Sequence, residues 1–319
     1  MEDYPRDLQE LETRFATEDA CREYLVQLRW PAGFICPRCG HGQGWPVGVR
    51  LECGQCHYQV SVTAGTIFQG TRKPLQQWFR AIWYVTSQKN GASALGLQRI
   101  LGLGSYVTAW SWLHKLRRAM VRPGRDGLRG RVEVDEAYLG GLEEGVSGRQ
   151  TQSKALIAVA AEENGRGIGR IRLMHIPDAS AASLEAFVLA SVEPGSRVHT
   201  DGWEGYGDLA ALGYKHRVTV MRRSPKRPHE LMPRVHRVVS LLKRWILGTH
   251  QGGISNEHLE YYLDEFTFRF NRRTSHYRGK LFYRLLQQAM QTVPAPYSEL
   301  SKGIRPGPKG KRRRRNIAT

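Results

Sequence analysis

Apolar positions near the start of the chain fall at Leu8, Leu11, Phe15, Cys21, Leu25 and Leu28. This spacing predicts helix over residues 8–29, closed by Pro31. A Gly- and Cys-rich stretch without helical periodicity runs from residue 33 to about 65. Helical spacing resumes at Leu75, Trp78, Phe79, Ile82, Trp83 and Val85 behind Pro74, a residue suited to a helix start. Ser93 and Ser105 can each cap a further helix, the first through Leu101 and the second to about Met120, with Gly102-Leu103-Gly104 as the tight turn between them. Two helices joined by a short glycine-bearing turn have the sequence form of a helix-turn-helix. His114, Lys115, Arg117 and Arg118 stand near the end of the second helix as candidate DNA contacts.

Residues 122–130, RPGRDGLRG, carry Pro, Gly and charge without periodicity and read as a linker. Beyond it the period changes to two. Residues 131–139, 154–162 and 169–176 read as strands, the last two joined by a glycine-bearing hairpin turn. A helix over 180–190, a short strand over 197–200, a helix over 203–212 and a strand over 214–221 follow, then helices over about 231–247 and 256–271. Three strands, helix, strand, helix, strand, helices is the order of an RNase-H-like α/β fold, a mixed sheet with flanking helices. The expected organisation is an N-terminal helical segment (1–32), a zinc ribbon (33–66), a helical helix-turn-helix-like region (67–121), the linker (122–130), the RNase-H-like domain (131–293) and a basic disordered tail (294–319).

Charge narrows the function class. Lys and Arg number 48 against 29 acids, a net charge of +19, and such an excess points to a polyanionic partner. The tail adds Lys302, Arg305, Lys309 and the run Lys311 to Arg315, with no acid after Glu299. Residues 215–234 hold seven basic residues and one acid, Glu230, as a candidate strand clamp. No segment reaches the ~18 apolar residues of a membrane span, and the acidic, polar start MEDYPRDLQELETRF is unlike a signal peptide. A cytoplasmic protein, in a prokaryote associated with the nucleoid, is expected.

Four of the five cysteines form two pairs, Cys36-x-x-Cys39 and Cys53-x-x-Cys56, thirteen residues apart. Two tight knuckles presenting four thiolates suit a tetrahedral Zn²⁺, and with no position left open the zinc is structural. Gly40 after the first pair and Gly54 inside the second suit the knuckle turns. His41 and His57 adjoin the ligands, and Cys21 reads as a small buried apolar residue. The ribbon would display Arg38, Trp45, Arg50 and Tyr58 to DNA or to neighbouring helices.

Candidate catalytic residues lie in the second half. In Val132-Glu133-Val134-Asp135-Glu136 the valines share one strand face, and Glu133 and Asp135 share the other. A carboxylate on an apolar-flanked strand calls for a partner or a metal. Glu133 and Glu136 are nearby spares. Asp201 stands at the carboxyl end of its strand, where ligands gather in α/β sheets. On the predicted helix that follows, His236, Ser240 and Lys243 share a face at i, i+4 and i+7 beside the apolar stripe of Val235, Val238, Val239, Leu242 and Ile246. Glu230 is the alternative carboxylate, ahead of Pro233 and off that face.

The run from Val132 to Gly141 resembles the first-aspartate motif of insertion-sequence transposases with an N-terminal zinc ribbon and a DDE-type domain. The run from Val235 to His250 resembles their third-residue helix, and Tyr262 to Arg273 the helix after it. Thr63-Ala64-Gly65-Thr66-Ile67-Phe68 is similar to the step out of the ribbon, and the resemblance spans about residues 15–293. It implies Asp135, Asp201 and His236 as catalytic divalent-metal ligands, His236 standing where most such enzymes have Glu, and Lys243 as a DNA-contacting lysine. It implies Mg²⁺ or Mn²⁺ as catalytic cofactor, with histidine favouring Mn²⁺. The implied activity is cleavage at inverted-repeat ends and strand transfer into target DNA, by a homo-oligomer on double-stranded DNA. A catalytically inactive, element-derived DNA-binding protein and a nuclease that hydrolyses without joining are the competing expectations.

Overall fold

Thr17 divides the helix predicted over residues 8–29. Its hydroxyl accepts from the Ala20 amide and starts a second helix, so α1 (Leu8–Arg14) and α2 (Glu18–Arg29) replace one element. The computed structural model describes residues 2–122, 124–141, 154–220 and 225–303. The disordered tail expected over 294–319 is ordered at its start, where Tyr297–Leu300 form a short helix and Ala295 and Leu300 are buried; its part from residue 304 onward, and residues 221–224 of the basic 215–234 stretch, lie outside the described residues.

The ribbon is a three-stranded antiparallel sheet, β1 (Gly44–Val47), β2 (Arg50–Cys53) and β3 (Gln59–Ser61). Its two knuckles are built alike. The Cys36 amide donates to the His41 carbonyl and Gly40 back to Cys36, as Cys53 does to Tyr58 and His57 back to Cys53. The left-handed position is Gly40 (φ 77°) in the first and His57 (φ 53°) in the second. The second knuckle therefore places a β-carbon where glycine is favoured, and Gly54 is not the residue that makes its turn. The four sulfurs lie within 4.8 Å of one another. The Cys56 amide, opposed by burial and aided by the Gln55 amide, lowers the Cys53 thiol to about 6, toward the thiolate that zinc requires. An added β-carbon at Gly40 meets nothing within 4 Å, so Gly40→Ala isolates the backbone penalty of about 1 kcal/mol. We expect it to weaken zinc retention in chelator competition by roughly fivefold, and His57→Gly to act in the opposite sense. Equal retention by wild type and Gly40→Ala would count against this account.

Next come α3 (Leu75–Ser87), α4 (Ala94–Leu101) and α5 (Tyr106–Ala119). Ser93 and Ser105 cap α4 and α5 through the Gly96 and Val107 amides, and Gly102 turns left-handed (φ 59°) between them. The helical hairpin is as expected, but the basic end of α5 is largely turned inward, with Lys115 half-buried. His114, Arg117 and Arg118 are buried. The exposed side of the hairpin is Leu95, Arg99, Ile100, Ser105, Tyr106 and Val107.

Among the described residues the second half is a five-stranded sheet. Its strands are β4 (Arg131–Leu139), β5 (Ala155–Asn164), β6 (Gly167–Ile176), β7 (Arg197–Asp201) and β8 (Lys215–Thr219), in the order β6-β5-β4-β7-β8. β4, β5 and β6 run antiparallel, and β7 and β8 run parallel to β4, which is the RNase-H-like topology. On one face Val132, Val134 and Val198 pack with α6 (Ala181–Ser191) and with Tyr206 of the 3₁₀ turn Glu204–Leu209, which replaces the helix predicted over 203–212. The short α7 (Pro228–Leu231) leads into α8 (Pro233–His250), which with α9 (Leu259–Asn271) covers the other face over Val159, Ala161 and Leu173. The last long helix, α10 (Arg278–Gln291), lies inside the range expected for the catalytic domain. Its Phe282, Leu285, Leu286 and Ala289 instead join the core of α2, α3 and α5.

A buried ionic joint ties the two halves. Glu265 of α9 binds Arg117 of α5 at 2.8 Å and Arg269 at 2.8 Å, and Arg269 donates to the carbonyls of Val85 and Gln88 at the end of α3. The Arg117 guanidinium also lies 4.0 Å over the Tyr262 ring.

Candidate active site

Asp135 and Asp201 share a notch because β4 and β7 pair and then part. The parallel register is Arg131↔Arg197, Val132↔Val198 and Glu133↔His199, and pairing stops there. The same offset carried two residues further sets Asp135 level with Asp201. On the antiparallel side Asp135 stands opposite Val159, whose side chain lies in the core beneath α8 and α9. Asp135 therefore faces α8.

Glu133, expected as a spare ligand, does something else. It is 5% exposed, and its carboxylate accepts from the Arg234 and Val235 amides at 2.7 and 3.0 Å and from the Arg234 guanidinium at 2.8 Å. These amides belong to the first turn of α8, where Met232 supplies no side-chain cap. A carboxylate there satisfies orphan donors and complements the helix dipole. Glu133 thus fixes the start of α8 against the strand that carries Asp135. Sequence reasoning offered it as a spare ligand and did not foresee this contact. Only its place two residues before Asp135, on the same face, hinted at it.

One turn into α8, His236 brings Nε2 to 3.8 Å from Asp135 Oδ2. That nitrogen is buried without a hydrogen-bond partner. Burial lowers the imidazole below its usual range, against the raising pull of Glu133 and Asp201, so near neutral pH it is uncharged with a lone pair available. Among the described residues the four cysteines are the group whose ligand atoms all lie within 4.8 Å of one another. Asp201 Oδ1 accepts from the Trp203 amide at 3.0 Å.

Glu136, the other expected spare, accepts from the buried Tyr206 hydroxyl at 2.8 Å. Burial, then Glu136, raises that phenol well above its ordinary value, and Asp135 and Asp201 act in the same direction. Tyr206 stays a donor and keeps Glu136 pointed away from α8. Glu230 accepts from the Arg227 amide at 2.9 Å at the start of α7, consistent with its place off the site face. Ser240 and Lys243 are exposed on α8. An open cavity of about 670 Å³ is lined by Tyr138, Lys154, His175, Asp178 and Trp203.

On the ribbon, Trp45 and Tyr58 are exposed, and Arg38 and Arg50 with them. No helix among the described residues is long and apolar enough to cross a membrane.

Residues 16–59 match the family described as the transposase zinc-ribbon domain, and residues 127–271 match the ISXO2-like transposase domain. The chain is 25% identical over 218 residues to the uncharacterized protein in transposable element ISH50 of Halobacterium salinarum, across 61% of this chain and 71% of that protein. Among solved structures it is similar to the catalytic core domain of BIV integrase (19% identity, 47% of this chain and 88% of that one, TM-score 0.31). It is also similar to a chain of the Mos1 strand transfer complex (12% identity, 75% and 82%, TM-score 0.29).

Proposed function

Since the chain belongs to the insertion-sequence transposases that join a zinc ribbon to a DDE-type domain, we propose that it binds the inverted-repeat ends of its element, cleaves them and joins them to target DNA. The observation that carries this reading is the notch itself. Asp135 and Asp201 stand at matching positions of two parallel strands, and the unpartnered Nε2 of His236 lies 3.8 Å from Asp135. A dry lone pair facing a carboxylate beyond hydrogen-bond distance suits a shared cation, and Asp135, Asp201 and His236 would hold it. Bound Mg²⁺ or Mn²⁺ supplies Lewis-acid activation of the attacking oxygen and stabilisation of the leaving one.

The chain's own residues do the rest. Glu133 holds α8, and with it His236, against Asp135. Tyr206 restrains Glu136. Lys243, exposed two turns beyond His236, is placed to hold a strand phosphate. Trp203 and Tyr138 line the open cavity near the end of the sheet as surfaces on which a strand can lie. The exposed ribbon face and the α4–α5 turn with Arg99, Ser105 and Tyr106 contact duplex DNA. The buried end of α5 does not. Action on two ends calls for a dimer or larger assembly on DNA.

The test uses full-length, zinc-loaded protein with a duplex carrying the element end, with Mn²⁺ or Mg²⁺. We expect a nick at the 3′ end and strand-transfer products with a second duplex. Tight end binding without cleavage under either metal would replace this reading with a DNA-binding protein lacking activity. Cleavage without joined products would reduce it to a nuclease.

A further inference from the structure

A second concavity shares no residue with the notch. It opens where the chain crosses from α5 to β4, has a volume of about 570 Å³, and is lined by Arg122, Arg125, Arg170, Arg172, Arg272 and Arg284. These six come from the linker, β6, the end of α9 and α10, so only the fold gathers them. The acids beside them are fewer. Asp126 lines the cleft and lies 3.5 Å from Arg122, Glu162 binds Arg170 at 2.6 Å, and Glu2 pairs with Arg284.

Arg172, 5% exposed, donates to the backbone carbonyls of Ile171 and Asp126 at 3.0 and 2.6 Å. Arg272 lies 4.1 Å over the Phe268 ring and reaches the Phe268 carbonyl at 3.4 Å. Neither has a carboxylate ion pair among the described residues. Burial, then Arg125 and Arg170, against the pull of Glu162 and Asp126, lowers Arg172 to about 10, and burial, then Arg284 and Arg122, lowers Arg272 to about 10. Crowded, partly dehydrated guanidiniums are stabilised by an anion between them, and their planar forks match phosphate oxygens.

We propose that this cleft binds phosphate groups, and that their source is the sugar–phosphate backbone of a DNA strand. The cleft is larger than a single phosphate needs and takes consecutive ones. Because the linker, β6 and α10 build it together, its occupant ties the helical half to the catalytic half. The assignment to DNA rests on the transposition reading above, and the phosphate chemistry does not.

Pyrophosphate and an end-bearing duplex are titrated separately into the zinc-loaded full chain, without added Mg²⁺ or Mn²⁺. Wild type is compared with Arg122→Gln/Arg125→Gln at the rim and with Arg272→Lys, each checked for an unchanged thermal midpoint. Pyrophosphate should bind the wild type at one site and the double variant roughly tenfold more weakly, with Arg272→Lys, which keeps the charge but loses the planar fork, weakened by a smaller factor. For the duplex, the slope of log affinity against log salt should fall by about 2 in the double variant. Pyrophosphate binding that is absent from wild type, or equal in the double variant, overturns the site. A lost pyrophosphate site with an unchanged DNA salt slope overturns DNA as the source and assigns the cleft to small phosphate compounds. Failure of strand cleavage would sink the transposition reading and leave the pyrophosphate result standing.

Discussion

Asp135→Ala and Asp201→Ala should each lower strand cleavage on the order of a thousandfold or more, with the affinity for an element end changed less than about threefold. The asymmetry follows from where the two functions sit. Both aspartates lie at the point where β4 parts from β7, whereas the exposed ribbon residues and the α4–α5 turn belong to other parts of the fold. His236→Ala should fall with them. His236→Glu is the more informative change, because a hard, anionic oxygen in place of a neutral nitrogen favours Mg²⁺. We expect it to retain cleavage and to shift the preferred ion from Mn²⁺ toward Mg²⁺. Glu133→Gln separates positioning from ligation. It leaves every proposed ligand in place but weakens the hold on the first turn of α8, so cleavage should drop by about ten- to a hundredfold and recover in Glu133→Asp only as far as the shorter side chain reaches. Cleavage and strand transfer are read on labelled duplexes, end affinity by gel shift. Wild-type rates in Asp135→Ala would remove this notch from the chemistry.

Local rules explain what was legible in the chain. Cysteine spacing fixes the zinc ribbon because the four ligands come from two short knuckles. Alternation over residues 131–139 puts Asp135 on its face because strand period is a near-neighbour property. Ser93 and Ser105 cap their helices through amides two or three residues away. What misled was long-range pairing. The basic end of α5 looks like a DNA surface until Glu265, 148 residues later, is brought against Arg117. Glu133 looks like a ligand until the amides of Arg234 and Val235 arrive from 101 and 102 residues away. The apolar stripe of α10 is plain in sequence, but nothing local says which core it joins. The arginine cleft draws on four separated segments and has no linear signature.

The largest loss of stability is expected at the ionic joint. Glu265→Ala or Glu265→Gln leaves two guanidiniums, Arg117 and Arg269, at 2% and 13% side-chain exposure without their carboxylate. Breaking a buried pair from one side costs about 3–5 kcal/mol, mostly from the charge left behind, and for a chain of this size lowers the thermal midpoint by roughly 10 °C. Burial alone would raise Glu265, but Arg117 and Arg269 overcome it and hold the carboxyl at about 2. Its contribution is therefore complete above the unfolded-chain value near 4.5 and is lost only as pH falls from there toward 2. The histidines around the joint act earlier. Burial, then Arg117, lowers His114 to about 2 and His250 to about 4, so both fold uncharged. Their share of stability is full above about 6.5 and drains as pH falls, His250 until about 4 and His114 further, by up to roughly 1.4 kcal/mol per pH unit for each. Urea midpoints of the wild type should thus fall steeply between pH 6.5 and 4.5, while Glu265 is still fully ionised. His250→Gln should flatten that decline, and Glu265→Gln should lower the whole curve without removing its slope. A wild-type midpoint that stays level from pH 7 to 5 would show that these imidazoles do not stay neutral in the folded protein.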